Sequence, residues 1–238
     1  LFFIKKIPVT LYYKFYQLNR YTIMKLNLNI PTSLDNITLR SYKKYLKLQD
    51  TTDIKLLKAQ MIHLFCSVSL KEVYNMKYND TEEVVGIIST MFEEKPALVK
   101  AFKLNGIEYG FHPSLDDLSL GEYIDLDTYV GDWDNIEKAM NVLYRPITAK
   151  FKYKYSIDKY KVEDAESLLD MPMSAVTSSV FFLLSLGIDL SKTMRKYLDK
   201  GQAEVLIDYL NLEQNGVGIN HFMNSLEGML QNLKVSLN

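Results

Sequence analysis

Three histidines, one cysteine and a run of carboxylates are the side chains with which this chain could do chemistry. A metal site built on imidazole or thiolate needs its ligands at short, fixed spacings, and His63, His112 and His221 stand far apart and match none of them. His63 and Cys66 fall on or near the apolar face of an expected helix, where they read as core rather than as base and nucleophile. The acidic run holds Asp116, Asp117, Glu122, Asp125, Asp127, Asp132, Asp134 and Glu137. A calcium loop starting at Asp125 requires glycine at its sixth position and glutamate at its twelfth. Those positions hold Val130 and Ile136, with Gly131 and Glu137 one residue late. The acids read instead as helix caps and a solvated negative face. No phosphate-binding loop, dinucleotide fingerprint or nucleophile elbow occurs, and Gly216 and Gly218 make a lone GxG without a strand before it. The expectation is a non-enzymatic protein with no metal and no cofactor.

Charge is the stronger signal. The chain's net charge of −1 hides +8 over residues 1–80 and −8 over residues 81–145. Arg40, Lys43, Lys44 and Lys47 share one face of an expected helix, and Glu122, Asp125 and Asp127 belong to the corresponding helix of a second, acidic segment. Two readings of the basic face follow. It contacts an acidic protein surface, such as the Glu122–Asp134 region of the same chain or of a neighbouring copy, with charge setting register and encounter rate. The alternative is that it tracks nucleic-acid phosphates, which would make binding steeply salt-dependent.

The elements that carry these charges form an internal echo. Residues 31–42, PTSLDNITLRSY, match residues 113–123, PSLDDLSLGEY, in the order Pro, Ser-Leu-Asp, hydroxyl, Leu and Tyr, with Ser33 facing Ser114 and Tyr42 facing Tyr123. Each copy follows an apolar run that alternates like a strand, and Thr38 or Ser119 stands where a helix N-cap belongs. Ser119 and Glu122 have capping-box spacing. Ahead of the second copy, Asn105-Gly106 between alternating runs predicts a hairpin, because a type I′ turn needs positive φ at both central residues.

Further helices are expected over 53–75, with a break near Ser67–Ser69 and a capping box at Ser69 and Glu72, from Thr81 to before Pro96, and over 133–144. Clean alternation predicts one half-exposed strand over 150–157. A polar helix is expected over 162–169. Residues 171–188 lack charge but carry five hydroxyl side chains, so they read as a buried core helix and not as a membrane span. Helices over 190–200 and 203–212 and an amphipathic one over 219–237 complete the chain. Together these predict an α+β fold, mainly helical, with a few short antiparallel strands. Residues 1–23, rich in aromatics and lysines and free of acids, read as an extension upstream of the fold. Residues 24–148 form an α+β region and residues 149–238 a strand plus helices packed against it. A single cysteine cannot form an internal disulfide and suits a reducing compartment.

The segment Phe102–Tyr129, FKLNGIEYGFHPSLDDLSLGEYIDLDTY, resembles small assembly proteins of tailed bacteriophages, especially those that infect Bacteroidetes. An extended segment ending in proline and then an LSLGEY-type helix start is the shared layout, and it covers under a third of the chain. The Asn-, Lys-, Tyr- and Ile-rich composition also suits the AT-rich genomes of such phages. The resemblance implies a tail-assembly chaperone or another virion-morphogenesis protein without enzymatic activity. It implies phage structural proteins or further copies of the chain as partners, in the host cytoplasm or within the virion. No catalytic residue carries over.

Overall fold

The computed structural model describes residues 9–17, 20–48, 53–93, 96–152 and 154–199, and side chains between residues 28 and 189. The fold is α+β and mainly helical, with an antiparallel four-stranded sheet. Strands β1 (Val9–Gln17) and β2 (Arg20–Leu28) pair antiparallel as a separate two-stranded sheet. Most of the stretch expected to stand outside the fold therefore forms strand, paired with the residues that open the fold proper. Leu28, at the end of β2, is fully buried and ties the hairpin to the core.

Helix α1 (Leu39–Leu46) is capped by Thr38, whose hydroxyl accepts from the Ser41 N–H. Its Leu39, Tyr42 and Tyr45 are buried, as the 3.6-residue period dictates. Helix α2 (Ile54–Cys66) leaves through Ser67 at φ 56°, and α3 (Leu70–Val73) starts from the capping box of Ser69 and Glu72. The expected break is there. Helix α4 (Tyr78–Glu93) begins three residues ahead of Thr81. These helices meet in an aromatic ladder: Tyr45 on Phe65, Phe65 on Phe92, Phe92 on Tyr42, and Tyr42 on Trp133 at 5.1 Å. Buried Leu39, Ile62 and Ile88 each contribute about 1.5–3 kcal/mol through apolar burial.

The central sheet runs β3 (Ala101–Leu104), β4 (Ile107–Phe111), then, after α5 (Leu120–Tyr129) and α6 (Ile136–Leu143), β5 (Tyr144–Phe151) and β6 (Lys154–Ile157). Asn105 at φ 51° and Gly106 at φ 81° form the expected tight turn. The single strand expected over 150–157 is two strands. Phe151 pairs with Lys154, and the chain reverses between them with Lys152 at φ 50°. Alternation continued on both sides of a two-residue reversal that carries no glycine, asparagine or proline, so the pattern alone concealed it. Pro146 also does something unexpected. It does not simply stop α6; it lies in β5, opposite Tyr109, and its carbonyl accepts the Asp158 N–H at 2.9 Å. The boundary drawn at 148/149 falls inside β5, which pairs with β4 on one side and β6 on the other, so both regions share one sheet.

Residues Val162–Asp170 form a 3₁₀ stretch rather than an α-helix. The two helices expected over 171–188 and 190–200 are one continuous helix, α7 (Met173–Asp199). The buried hydroxyls of its charge-free stretch, up to Ile188, are satisfied within the helix. Thr177 donates to the Met173 carbonyl, Ser178 to Ala175, and Ser179 to Ala175 and Val176. Ser178 also accepts the Val99 N–H, and the Tyr144 hydroxyl donates to the Val99 and Ala175 carbonyls, fastening the sheet to α7. Among the described residues no helix is long and apolar enough to cross a membrane. The helices expected over 203–212 and 219–237, and the Gly216/Gly218 turn, lie outside the described residues.

Candidate docking surface on α5

The two echoed segments fold alike. Residues Leu34–Asn36 and Leu115–Asp117 are both single 3₁₀ turns, each followed one residue later by a hydroxyl N-cap and an α-helix. Their surroundings differ completely. The first junction is covered by the chain itself: the Leu39 N–H donates to the Met171 carbonyl, the Met173 N–H donates to the Ile37 carbonyl, and Thr38 bridges to Pro172. Leu39 and Tyr42 are both at 0% exposure. Their counterparts on α5, Leu120 and Tyr123, are 75% and 52% exposed, and Ile124 is 51% exposed. Spacings of three and four residues put these three side chains on one helix face.

The inner face of α5 is polar at its centre. Ser119 and Glu122 complete the predicted capping box, with the Ser119 N–H donating to the Glu122 carboxylate at 2.7 Å. The same carboxylate pairs with Arg145 of β5 at 2.7 Å, both side chains being under 10% exposed. Burial alone would push Glu122 up, but its bonds from Ser119 and the Arg145 charge outweigh it and hold the carboxyl below its ordinary range. Asp125 accepts the Tyr160 hydroxyl at 2.6 Å. Burial first, then this bond, drives the Tyr160 phenol far above its ordinary value. Leu126 and Val130 finish the inner face as core. The first turns of the helix thus turn Glu122 and Asp125 inward and Leu120, Tyr123 and Ile124 to solvent, while Leu126 and Val130 anchor it in the core.

Glu122 is therefore not part of an accessible acidic face, as the sequence suggested; it lies inside the protein on an arginine. Asp125 is committed to Tyr160, and Asp127 is half-buried on the same helix. The basic stripe of α1 does meet acids, but within the chain and elsewhere. Arg40 forms a two-pronged pair with Asp170 at 2.7 and 3.1 Å. Lys43 reaches Glu137 at 2.5 Å and the Asp134 carbonyl at 2.8 Å, and Lys47 stands 3.7 Å from Asp134. Lys44 is exposed and, after Arg40, adds to the field that lowers the Asp170 carboxyl. Charge complementarity between residues 1–80 and 81–145 fastens α1 to α6, and the separate Arg40–Asp170 pair fastens it to the 3₁₀ stretch.

The remaining candidates for chemistry are structural. His63 Nδ1 lies 2.5 Å from the Val68 carbonyl at the exit of α2, and burial pushes the Cys66 thiol up to about 12, which keeps it protonated. Among the described residues no group of histidine, cysteine or carboxylates is arranged to hold a metal ion. An open cleft of about 650 Å³ lies beside the first junction, lined by Ile30, Pro31, Leu34, Ile87, Met91 and Ser174 among others. Among the described residues no charged side chain lines it. The apolar outer face of α5 was missed in the sequence because Leu120, Tyr123 and Ile124 look like core by spacing. The inward placement of Glu122, Leu126 and Val130 turns them outward. Comparison with family models, curated proteins and solved structures finds no match for this chain.

Proposed function

We propose that this protein is a non-enzymatic assembly factor of a tailed bacteriophage, in the manner of a tail-assembly chaperone, and that it docks a virion protein through Leu120, Tyr123 and Ile124. One observation carries the reading. The same local motif occurs twice, its Leu and Tyr are sealed in the core at the first junction, and they stand bare at the second. Full burial of a leucine, isoleucine or aromatic side chain is worth about 1.5–3 kcal/mol, so the bare face offers a partner several kcal/mol that the fold leaves unused. A helix presenting residues i, i+3 and i+4 is a common way of entering an apolar groove. The intramolecular pairing of Arg40, Lys43 and Lys47 weighs against the nucleic-acid alternative, since those cations already have carboxylate partners. The experiment is a paired one. Leu120→Glu with Ile124→Glu should leave the melting of the purified chain unchanged and lower the yield of assembled particles. A fluorescent duplex titrated with the parent chain at stepped salt should show no saturable binding; tight binding that weakens steeply with salt would favour the phosphate reading.

A further inference from the structure

The turn that presents α5 opens with a histidine whose ring meets the turn's own backbone. His112 follows β4, and its backbone N–H donates to the Leu143 carbonyl at 2.7 Å. Its Nδ1 accepts the Ser114 N–H at 3.3 Å, across Pro113. An imidazole that accepts at Nδ1 holds its one proton at Nε2. The charged groups facing the ring come from three elements: Arg145 from β5, Glu122 from α5 and Asp117 from the 3₁₀ turn. Burial first, and Arg145 second, hold the ring's proton affinity below the ordinary histidine value against the pull of Glu122, of the Ser114 backbone and of Asp117. Arg145 is itself buried, has its Nη1 on Glu122, and has an Nε with no hydrogen-bond partner among the described residues.

We propose that His112 is an acid-operated latch on the docking helix: a proton taken from solvent at Nδ1 ends its acceptance of the Ser114 N–H, faces Arg145 with a second cation, and loosens the Pro113–Ser119 turn that holds the N-terminus of α5. Only the functional consequence, acid-sensitive docking, rests on the proposed role of the α5 face; the latch itself is read from the turn. The sign follows from linkage. A ring held neutral in the fold and free to protonate when the turn opens stabilises the closed turn above about pH 6.5, and that contribution falls as pH drops below it. One unit below the ordinary value, an exposed imidazole binds protons enough to raise the opening constant by about tenfold at most.

Hydrogen exchange of the full chain at pH 7.5 and 5.5, corrected for the intrinsic pH dependence of exchange, reads the latch directly. Opening over residues 112–124 should rise about threefold to tenfold at the lower pH, while α2 and α4 stay unchanged. His112→Asn places an amide oxygen near the Nδ1 position, keeps the acceptor and cannot be protonated, so it should abolish the acid response. Equal opening at both pH values in the parent, or an acid response that survives His112→Asn, overturns the latch. An NMR titration of the His112 ring in the parent chain gives an independent reading that needs no variant. Its midpoint should lie below 6.5, and a midpoint at or above that value overturns the latch as well. None of these readouts involves a partner, so failure of the docking role would leave them untouched.

Discussion

Removing Arg145 while leaving Glu122 in place is the sharpest perturbation of this fold. The pair is 2.7 Å apart, with side chains 7% and 8% exposed, so little water screens either charge. Arg145→Met keeps much of the packing volume and strands a carboxylate that also serves the Ser119 capping box. Breaking a buried pair from one side costs about 3–5 kcal/mol, whereas replacing both partners with apolar groups is often neutral. For a chain of this size that is roughly 6–20 °C of melting temperature, at about 2–4 °C per kcal/mol. Urea unfolding of the parent, Arg145→Met, Glu122→Met and the double variant completes a cycle. The double variant should recover much of the loss and retain a residual cost of about 1 kcal/mol, because the reciprocal cap is gone. A loss under about 1 kcal/mol for Arg145→Met would refute the claim that Glu122 is an inward, paired charge, and with it the reason α5 faces outward as it does.

Other outcomes follow from the same geometry. Tyr42→Ala should cost about 3–5 kcal/mol because the ring is fully buried, while Tyr123→Ala at the matching position should change stability by no more than about 0.5 kcal/mol; chemical unfolding of each compares the two junctions directly. Gly110→Ala should destabilise by about 1–3 kcal/mol, since a Cβ there would come within 2.5 Å of the Tyr155 ring and 2.9 Å of Ile147, whereas Gly121→Ala on α5 meets nothing within 4 Å and should be neutral or stabilising. Lys43→Glu should lower the melting temperature, and adding Glu137→Lys should restore part of it, because the pair is intramolecular and only partly exposed.

How legible this was in the sequence depended on whether the deciding physics was local. Capping boxes at Ser69 and Ser119 and the Asn105-Gly106 turn are satisfied by neighbours in the chain, so residue types disclosed them, and with the first of them the break near Ser67. The reversal at Lys152 carries no such marker, and the merging of two expected helices into α7 depended on packing around its N-terminal half. The candidate site was half legible. The motif and its echo are in the residues, but which copy is covered is set by Met171–Met173, some 130 residues from the first junction and 50 from the second. The opposite charges of the two halves were plain, yet their pairing across α1 and α6 could be assigned to one chain only once Lys43, Asp134 and Glu137 were seen side by side.

The proposed docking role is tested most directly by placing a photo-crosslinking side chain at position 123 of the full chain during the phage assembly proposed for it, with position 78 as control. Tyr78 is also largely exposed but belongs to a different helix, at the start of α4. The account predicts an adduct at position 123 with a second polypeptide, identified by mass spectrometry as a virion component and absent from the control. No adduct above the control, or an adduct with nucleic acid, would contradict it.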